Sequence, residues 1–443
     1  MTDDDLLAAL PALILGVGAV LLFVTPRWLR ADERAWMLLG AIVAAGGATA
    51  AALAGGGADG FEGLLRRDGA SGFIALLAGA SAATTLVVES ADALYDARHG
   101  ARAAALVLAA ACGATLAGAA GDLVIALAGI TLVALFAMQA RRALVVPLLF
   151  GAGIALVFAD AGSTRVGALG VVSSPLGEAG IALVLSAVAA VAGLVPFHLL
   201  ARELDVAVPP MVAGAVGLIG RVGAFALLLR AAGTITASGA AQPDWSASIA
   251  ILAALTMTIG AIVALARSSV RGVLAFIGVS QAGTLAVALA SGVIAGPAIA
   301  FGLVVLAATT LGAYAVVAQL GKDPRLSDLR GLARRRPVLA SAFAAVVFGL
   351  AGLPPTAGFV AKVYLFEAAI GAQLAWLVIV GSFTAVVAVA SAFRLVFACL
   401  GEAGDATRSI GVARAVAIAA AVLTLGIGVL PGPLLDAVQG VRF

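Results

Sequence analysis

The stretch LAGLPPTAGFVAKVYLFEAAI, residues 350–370, is apolar nearly throughout, yet it contains two adjacent prolines, a lysine and a glutamate. Proline lacks a backbone donor and clashes with the preceding helical turn, so Pro354 and Pro355, with Gly358 beside them, predict a break in a helix. In a membrane, the carbonyl groups freed by a break need partners inside the protein or water. The stretch therefore predicts a broken membrane helix with Lys362 just beyond the break.

The composition is that of an integral membrane protein. Of the 443 residues, 63% are hydrophobic and only 11% are charged, whereas a soluble domain carries about 25% charged residues. The net charge of +3 does not indicate nucleic-acid binding. Cys112 and Cys399 lie in apolar runs, and His99 and His198 are far apart in the sequence. Neither a disulfide framework nor a metal site is therefore predicted.

Apolar runs long enough to cross a bilayer, about 20 residues each, recur along the whole chain. We predict an all-α polytopic membrane protein with fourteen membrane-spanning segments. The segment 338–369 is longer than a single crossing needs, and its Pro-Pro pair lies near its middle. The predicted spans are 6–24, 35–54, 72–90, 102–120, 122–140, 143–160, 179–200, 206–231, 247–266, 269–291, 296–318, 338–369, 372–399 and 410–431.

The distribution of basic residues predicts the orientation of these spans. With the N terminus placed outside, eighteen lysines and arginines fall on the cytoplasmic side and five on the outer side. This bias is the one expected for cytoplasmic loops, and it predicts both termini on the outer side of the membrane. The most basic loop is LGKDPRLSDLRGLARRRP, residues 320–337. It is interpreted either as a topology anchor beside anionic lipid or as a docking surface for a partner subunit.

A second segment, residues 193–230, has the same components as the opening stretch. It contains the pair Pro209 and Pro210, nearby glycines and a basic residue downstream, Arg221. Transporters use paired broken helices in two repeats to build an ion site at the middle of the membrane. The recurrence suggests a duplicated unit, with a broken helix at each proline pair.

Lys362 is the candidate proton-carrying residue. Lys362 and Lys322 are the only lysines in the chain, and Lys322 lies in the basic loop. A charge near the centre of a bilayer is costly. A buried lysine can escape this cost by losing its proton, whereas Arg221 and Arg394 stay charged. The alternative interpretations are that Lys362 reaches to the membrane surface or forms a static pair with Glu367 or another acid.

Five further polar residues lie at or beside predicted spans. Asp122 begins the fifth span and Thr131 lies in its middle, while Ser280 and Gln281 lie on an apolar helix. Such side chains hydrogen-bond between helices or hold water. Packing is the favoured interpretation for Thr131 and Ser280, and Gln281 is left open. His198 follows a proline near a predicted cytoplasmic end, where capping and proton transfer are both compatible with its position.

The sequence SDLRGLARRRPVLASAFAAVVFGLAGLPPTAGFVAKVYLF, residues 327–366, resembles the antiporter-like family of membrane subunits. This family includes subunit N of bacterial NADH:quinone oxidoreductase (complex I) and subunits of Mrp cation/proton antiporters and membrane-bound hydrogenases. The segments VPFH, VAVPPMVAG and VRGVLAFIGVSQAG fit the family in the same order, and the resemblance spans roughly residues 85–400.

The resemblance implies fourteen helices that include two inverted five-helix repeats, each with a broken helix. It places three N-terminal helices in residues 1–100, the first repeat in 101–235, the second repeat in 245–400 and the last helix in 401–443. Lys362 matches the lysine of the second broken helix.

Other positions depart from the family pattern. The glutamate of the fifth helix falls at Thr131, and the lysine before the PFH motif falls at Val191. At two further positions where the family has lysine, this chain has Arg221 and Arg271. Where the family has a histidine, this chain has Gln281. The first repeat thus lacks both of its titratable residues.

The function implied is that of a membrane-arm subunit of complex I in the bacterial cytoplasmic membrane. The subunit would contribute to proton translocation, with Lys362 as the loading site, Ser280 and Gln281 along a hydrated path, and Arg221 and Arg271 setting the electrostatics. No cofactor is expected in this chain, since NADH, FMN, Fe–S clusters and quinone would belong to partner subunits. The alternatives are a structural subunit that has lost pumping, or a subunit of an Mrp antiporter or membrane-bound hydrogenase.

Overall fold

A computed structural model describes most of the chain, namely residues 2–25, 32–54, 56–91, 97–137, 144–198, 208–237, 245–292, 295–321, 323–402 and 411–441. These residues form seventeen α-helices and no β-strand. The helices are α1 (Asp3–Val24), α2 (Glu33–Ala54), α3 (Gly69–Ser90), α4 (Ala97–Ala119), α5 (Leu123–Ala137), α6 (Val145–Ala161), α7 (Pro175–Ala192), α8 (Pro210–Ala237), α9 (Trp245–Ala266), α10 (Val270–Ala290), α11 (Gly296–Val317), α12 (Leu332–Arg335), α13 (Pro337–Ala351), α14 (Ala357–Gly371), α15 (Ala375–Leu400), α16 (Gly411–Val429) and α17 (Gly432–Gln439).

The predicted all-α polytopic fold is confirmed. Eleven helices in the described part of the chain are long and apolar enough to cross a membrane, and α5, α6 and α13 are shorter apolar helices. Each predicted span overlaps one helix, except that 338–369 contains the two fifteen-residue helices α13 and α14. The predicted span ends 138–140, 143, 199–200, 206–207 and 410 lie outside the described residues. The break predicted from Pro354 and Pro355 therefore exists.

The proline pair Pro209 and Pro210 lies at the start of α8, and residues 199–207, which precede the pair, lie outside the described residues. Pro210 is the first residue of α8, which then continues without interruption to Ala237. The first residue of a helix has no intrahelical partner for its amide, so proline is favoured there. The preceding helix, α7, ends at Ala192, and the cis Val195–Pro196 bond follows shortly after.

The described helices form two compact units. The first contains Met1–Gly193, Ile219–Trp245 and Val441–Phe443, and the second contains Leu194–Leu218 and Ser246–Gly440. The division into an N-terminal segment, two inverted repeats and a C-terminal helix remains a prediction.

Small residues bring helices of the first unit into close contact. A Cβ on Gly113 of α4 would lie 2.5 Å from the carbonyl oxygen of Gly129 in α5. Gly153 of α6 and Gly180 of α7 oppose each other in the same way, with corresponding distances of 2.7 and 2.9 Å. Lipid tails are as apolar as leucine, so van der Waals packing of close backbones replaces the hydrophobic effect as the force between membrane helices.

One end of the first unit is held together by charged groups. The guanidinium of Arg230 donates to both carboxylate oxygens of Asp68, at 2.7 and 2.8 Å, and its Nε donates to the carbonyl oxygen of Gly118 at 2.7 Å. Asp68 also accepts from the backbone N–H of Ser71 and so caps α3. A single buried arginine thereby connects α8, α4 and the start of α3.

Burial acts to raise the pKa of Asp68, but the hydrogen bonds and the positive charge of Arg230 outweigh it and hold this pKa below its usual value. A carboxyl group with a depressed folded-state pKa contributes stability above its unfolded-state pKa. That contribution is lost as the pH falls through the folded-state value.

The second unit has its own close contacts. A Cβ on Gly260 of α9 would lie 2.5 Å from the backbone nitrogen of Ser280 in α10, and a Cβ on Gly283 would lie 2.6 Å from that of Met257. Arg394 of α15 donates to the carbonyl oxygens of Leu265 and Arg267, where α9 ends. The C-terminus of a helix carries partial negative charge, so this arginine acts as a cap inside the predicted span.

We predict that Asp68→Asn destabilises the first unit. Asparagine preserves the N-cap of α3 but leaves the side chain of Arg230, which is 1% exposed, without its counter-charge. Removing one partner of a buried ion pair lowers the free energy of unfolding by about 3 kcal/mol. Denaturant titration of the protein in detergent at pH 7 measures this loss.

Asp436→Asn is the matched control, because Asp436 is exposed on α17. The difference between wild type and Asp68→Asn should shrink as the pH falls through the lowered pKa of Asp68. Equal stability of the three proteins at pH 7 would contradict a stabilising role for the pair.

Candidate functional site

The candidate site lies where α13 ends and α14 begins, within the second unit. Gly352 ends α13 in the left-handed conformation, with φ of 85° and its backbone N–H donating to the carbonyl oxygen of Phe348 at 2.8 Å. The chain then passes through the cis Pro354–Pro355 bond, and Thr356 precedes the first residue of α14. The two prolines prevent α13 from continuing, and the left-handed glycine redirects the chain.

Lys362 lies on α14, and its side chain extends back to the end of α13. Its Nζ donates to the carbonyl oxygen of Ala351 at 2.7 Å, and its side chain is buried. A Cβ on Gly352 would lie 2.7 Å from Cδ and 3.0 Å from Nζ of Lys362. The lysine therefore occupies the space beside this glycine and satisfies a carbonyl that the helix itself leaves free.

The electrostatic environment of Lys362 combines two opposing effects. Burial disfavours the charged ammonium, whereas the carbonyl groups at the C-terminus of a helix favour it. Among the described residues, Lys362 makes this one hydrogen bond and no ion pair. A buried amine in such a balance is suited to gaining and losing a proton.

Glycines allow the backbones around the break to touch. A Cβ on Gly358 in the first turn of α14 would overlap the carbonyl oxygen of Gly349 in α13. A Cβ on Gly428 of α16 would overlap the carbonyl oxygen of Pro355. Gly358, predicted as part of the break, is thus needed for close approach of the two half-helices.

The static pair between Lys362 and Glu367 is not found. Glu367 is exposed and lines a cavity of about 570 Å³ together with Tyr364, Ser291 and Gln439. Five residues of α-helix rotate a side chain by about 140°, so Glu367 points away from the buried face of α14.

The predicted polar residues of α10 take structural positions in the second unit. Ser280 donates to the carbonyl oxygen of Met257 at 3.2 Å, in agreement with the packing interpretation, and its neighbour Gln281 is half-buried. Arg271 is buried and donates through Nη2 to the carbonyl oxygen of Val208 at 3.0 Å, just before α8. None of the three makes a hydrogen bond to Lys362.

His198 packs edge-on against the ring of Phe276, with 6.2 Å between the ring centroids. The guanidinium carbon of Arg267 lies 4.8 Å from the centroid of the same ring. His198 therefore belongs to an aromatic cluster of the second unit. His99 lies outside the residues whose side chains are described.

The predicted residues of the first unit are Asp122, Thr131 and Arg221. Asp122 accepts from the backbone N–H of Val124 and from the hydroxyl of Thr164, at 2.8 and 2.7 Å, so it holds the start of α5. Thr131 is half-buried in the middle of α5. Arg221 is buried on α8.

Arg221 shares a feature with Lys362 that the sequence reasoning missed. A Cβ on Gly193 would lie 3.7 Å from Nη2 of Arg221, and Gly193 ends α7 with φ of 77°. Each unit thus places a buried cation beside a left-handed glycine that ends a helix. The sequence pattern that could have indicated this feature is the motif G-L-x-P, which begins at Gly193 and at Gly352. In both places the peptide bond before the last proline of the motif is cis.

We predict that Gly358→Ala separates the two half-helices, because the added methyl group overlaps the carbonyl oxygen of Gly349. Overpacking of this kind lowers the free energy of unfolding by about 1–3 kcal/mol. Gly371→Ala on the same helix is the control, since its Cβ meets nothing within 4 Å and alanine is preferred in helices. Thermal unfolding in detergent compares the two, and a similar midpoint for both variants would contradict the close approach.

The architecture matches known protein complexes. A chain of respiratory complex I from Thermus thermophilus has a TM-score of 0.83 and 28% sequence identity over 97% of this chain and 99% of that chain. A chain of the Mrp complex from Dietzia has a TM-score of 0.83 at 21% identity over 100% of this chain and 97% of that chain, a likeness of fold alone.

Curated relatives point in the same direction. NADH-quinone oxidoreductase subunit N 1 of Streptomyces griseus is 34% identical over 297 residues, covering 65% of this chain and 62% of the relative. Subunit N of Chloroflexus aggregans is 34% identical over 305 residues with the same coverage. The matched part of the chain spans about three fifths of the length of these relatives.

The family model described as NADH:quinone oxidoreductase/Mrp antiporter, TM, matches residues 112–388, which include the end of α7, both halves of the broken helix and Lys362. The chain therefore belongs to the NADH:quinone oxidoreductase/Mrp antiporter family of transmembrane subunits.

Proposed function

We propose that this protein is a membrane-arm subunit of a respiratory NADH:quinone oxidoreductase and that it contributes to proton translocation through Lys362. The observation that carries the proposal is the buried ammonium of Lys362 held by the Ala351 carbonyl at the end of α13. The identity of 28% over nearly the whole length of a complex I subunit supports the assignment to this complex.

The proton-carrying step follows from the chemistry of the site. Lys362 accepts a proton when water reaches the helix break, and the Ala351 carbonyl stabilises the resulting ammonium. When the water or a nearby charge is rearranged, the free-energy cost of the buried ammonium favours release of the proton from Lys362. The protein lies in the bacterial cytoplasmic membrane, with both termini on the outer side. NADH, FMN, Fe–S clusters and quinone belong to partner subunits, where the electron transfer takes place.

A second candidate function is that of a structural subunit that completes the membrane arm without pumping. The observation that favours it is the cation of the first unit, because Arg221 occupies the position beside Gly193 and arginine does not release its proton. Val191, near the end of α7, has no titratable group. A subunit of an Mrp antiporter is a further alternative, consistent with the shared fold.

The test is proton translocation by the assembled complex in sealed vesicles, measured together with NADH oxidation. Lys362→Met removes the titratable group. Lys362→Arg keeps the positive charge, but the guanidinium does not release its proton. We expect both variants to translocate fewer protons per NADH oxidised while the complex stays assembled. Lys322→Met, which changes the other lysine of the chain, is the control and should equal the wild type.

The pattern of results separates the candidates. Unchanged proton translocation in both Lys362 variants, at unchanged turnover, would contradict the proton-loading role and favour the structural subunit. A complex that oxidises no NADH but exchanges sodium for protons would contradict the assignment to NADH:quinone oxidoreductase and favour the antiporter.

A further inference from the structure

The first unit has a long apolar groove that the proposed function does not use. It has a volume of about 850 Å³ and is lined by residues of α1 and α4, with Leu132 of α5. On α1 the lining extends from Ala9 to Phe23, which corresponds to about 21 Å along the helix axis. This length exceeds one leaflet of the hydrocarbon, about 15 Å, so an acyl chain fits along it.

The floor of the groove is the contact between α1 and α4. The Sγ of Cys112 donates to the carbonyl oxygen of Ala12 at 3.3 Å, and a Cβ on Gly16 would lie 3.2 Å from the same sulfur. The rim is formed by larger apolar side chains, among them Leu13 and Val17, which are 47% and 54% exposed.

This shape disfavours another helix as the occupant. Membrane helices associate through small residues that let their backbones approach. Here Ala12 and Gly16 already contact Cys112 of α4, and Leu13 and Val17 beside them are exposed and larger than the residues that allow two backbones to approach. A flexible chain of methylene groups, by contrast, can fill a narrow groove between such side chains.

Charge is confined to one end of the groove. In the described part of the chain, Arg102 is the one charged residue of the lining, and its side chain is exposed. Because Cys112 of α4 lies level with Ala12 of α1, the antiparallel helices place Arg102 beside Phe23. The opposite end of α1 carries Asp3, Asp4 and Asp5, which repel an anion.

We propose that this groove binds an anionic phospholipid, with one acyl chain along α1 and the phosphate held by Arg102. Basic residues beside apolar clefts between membrane helices are a recognised arrangement for such headgroups. The predicted orientation places Arg102 at the cytoplasmic surface, where the headgroup of an inner-leaflet lipid lies. The site is independent of Lys362 and of the proposed function.

The test is native mass spectrometry of the full-length protein in a mild detergent, titrated with phosphatidylglycerol and with phosphatidylcholine of identical acyl chains. We expect one tight site that prefers phosphatidylglycerol by about fivefold, the contribution of one basic residue near a membrane surface. Arg102→Gln should abolish this preference. Arg414→Gln, an exposed arginine at the start of α16, should retain it.

A second pair of variants tests the groove itself. Val17→Trp fills the groove and should weaken both lipids, whereas Ile42→Trp, at an exposed position on α2 outside the groove, should weaken neither. Equal binding of the two lipids by wild type, or unchanged binding by Arg102→Gln or Val17→Trp, would overturn the proposal.

A photo-crosslinking residue at position 17 tests the occupant in native membranes. An adduct with phospholipid supports the proposal. An adduct with another polypeptide would overturn it and assign the groove to a partner subunit.

Discussion

The hydrogen bond from Lys362 to the carbonyl oxygen of Ala351 is the interaction on which the rest of the second unit's site depends. A helix that ends inside a membrane leaves carbonyl groups without partners, and each unsatisfied group costs several kcal/mol in hydrocarbon. Lys362 supplies a donor from the other half of the same broken helix. The group that stabilises the break is therefore also the group to which we assign proton loading in the proposed function.

Three glycines make this arrangement possible. Gly352 turns the chain, while Gly358 and Gly428 let α14 and α16 approach the backbone around the break. Larger residues at Gly358 and Gly428 would push these helices apart, because an added Cβ would overlap the carbonyl oxygens of Gly349 and Pro355. Glycines likewise allow α4 and α5 of the first unit to approach closely. Van der Waals contact is the main attraction between such helices.

The two units share a structural feature but place a different cation in it. In each, a left-handed glycine ends a helix and a buried cation lies against it: Arg221 beside Gly193 and Lys362 beside Gly352. A lysine in this position can alternate between charged and neutral forms, whereas an arginine provides a permanent charge. In the proposed function, proton exchange is therefore assigned to Lys362, and Arg221 provides a fixed positive charge.

Hydrophobic length and proline geometry are local properties, so the sequence correctly predicts the membrane class, the order of the apolar helices and the break at Pro354 and Pro355. It also singled out Lys362, whose proton-loading role remains a prediction. Pro210 is compatible with both a break and a helix start, and in the structure it is the first residue of α8. The contact of Lys362 with Ala351, the exposed position of Glu367 and the pairing of Asp68 with Arg230 are properties of the folded chain. These are contacts between residues distant along the chain or on different helix faces, and they depend on how backbones pack, which no local pattern specifies.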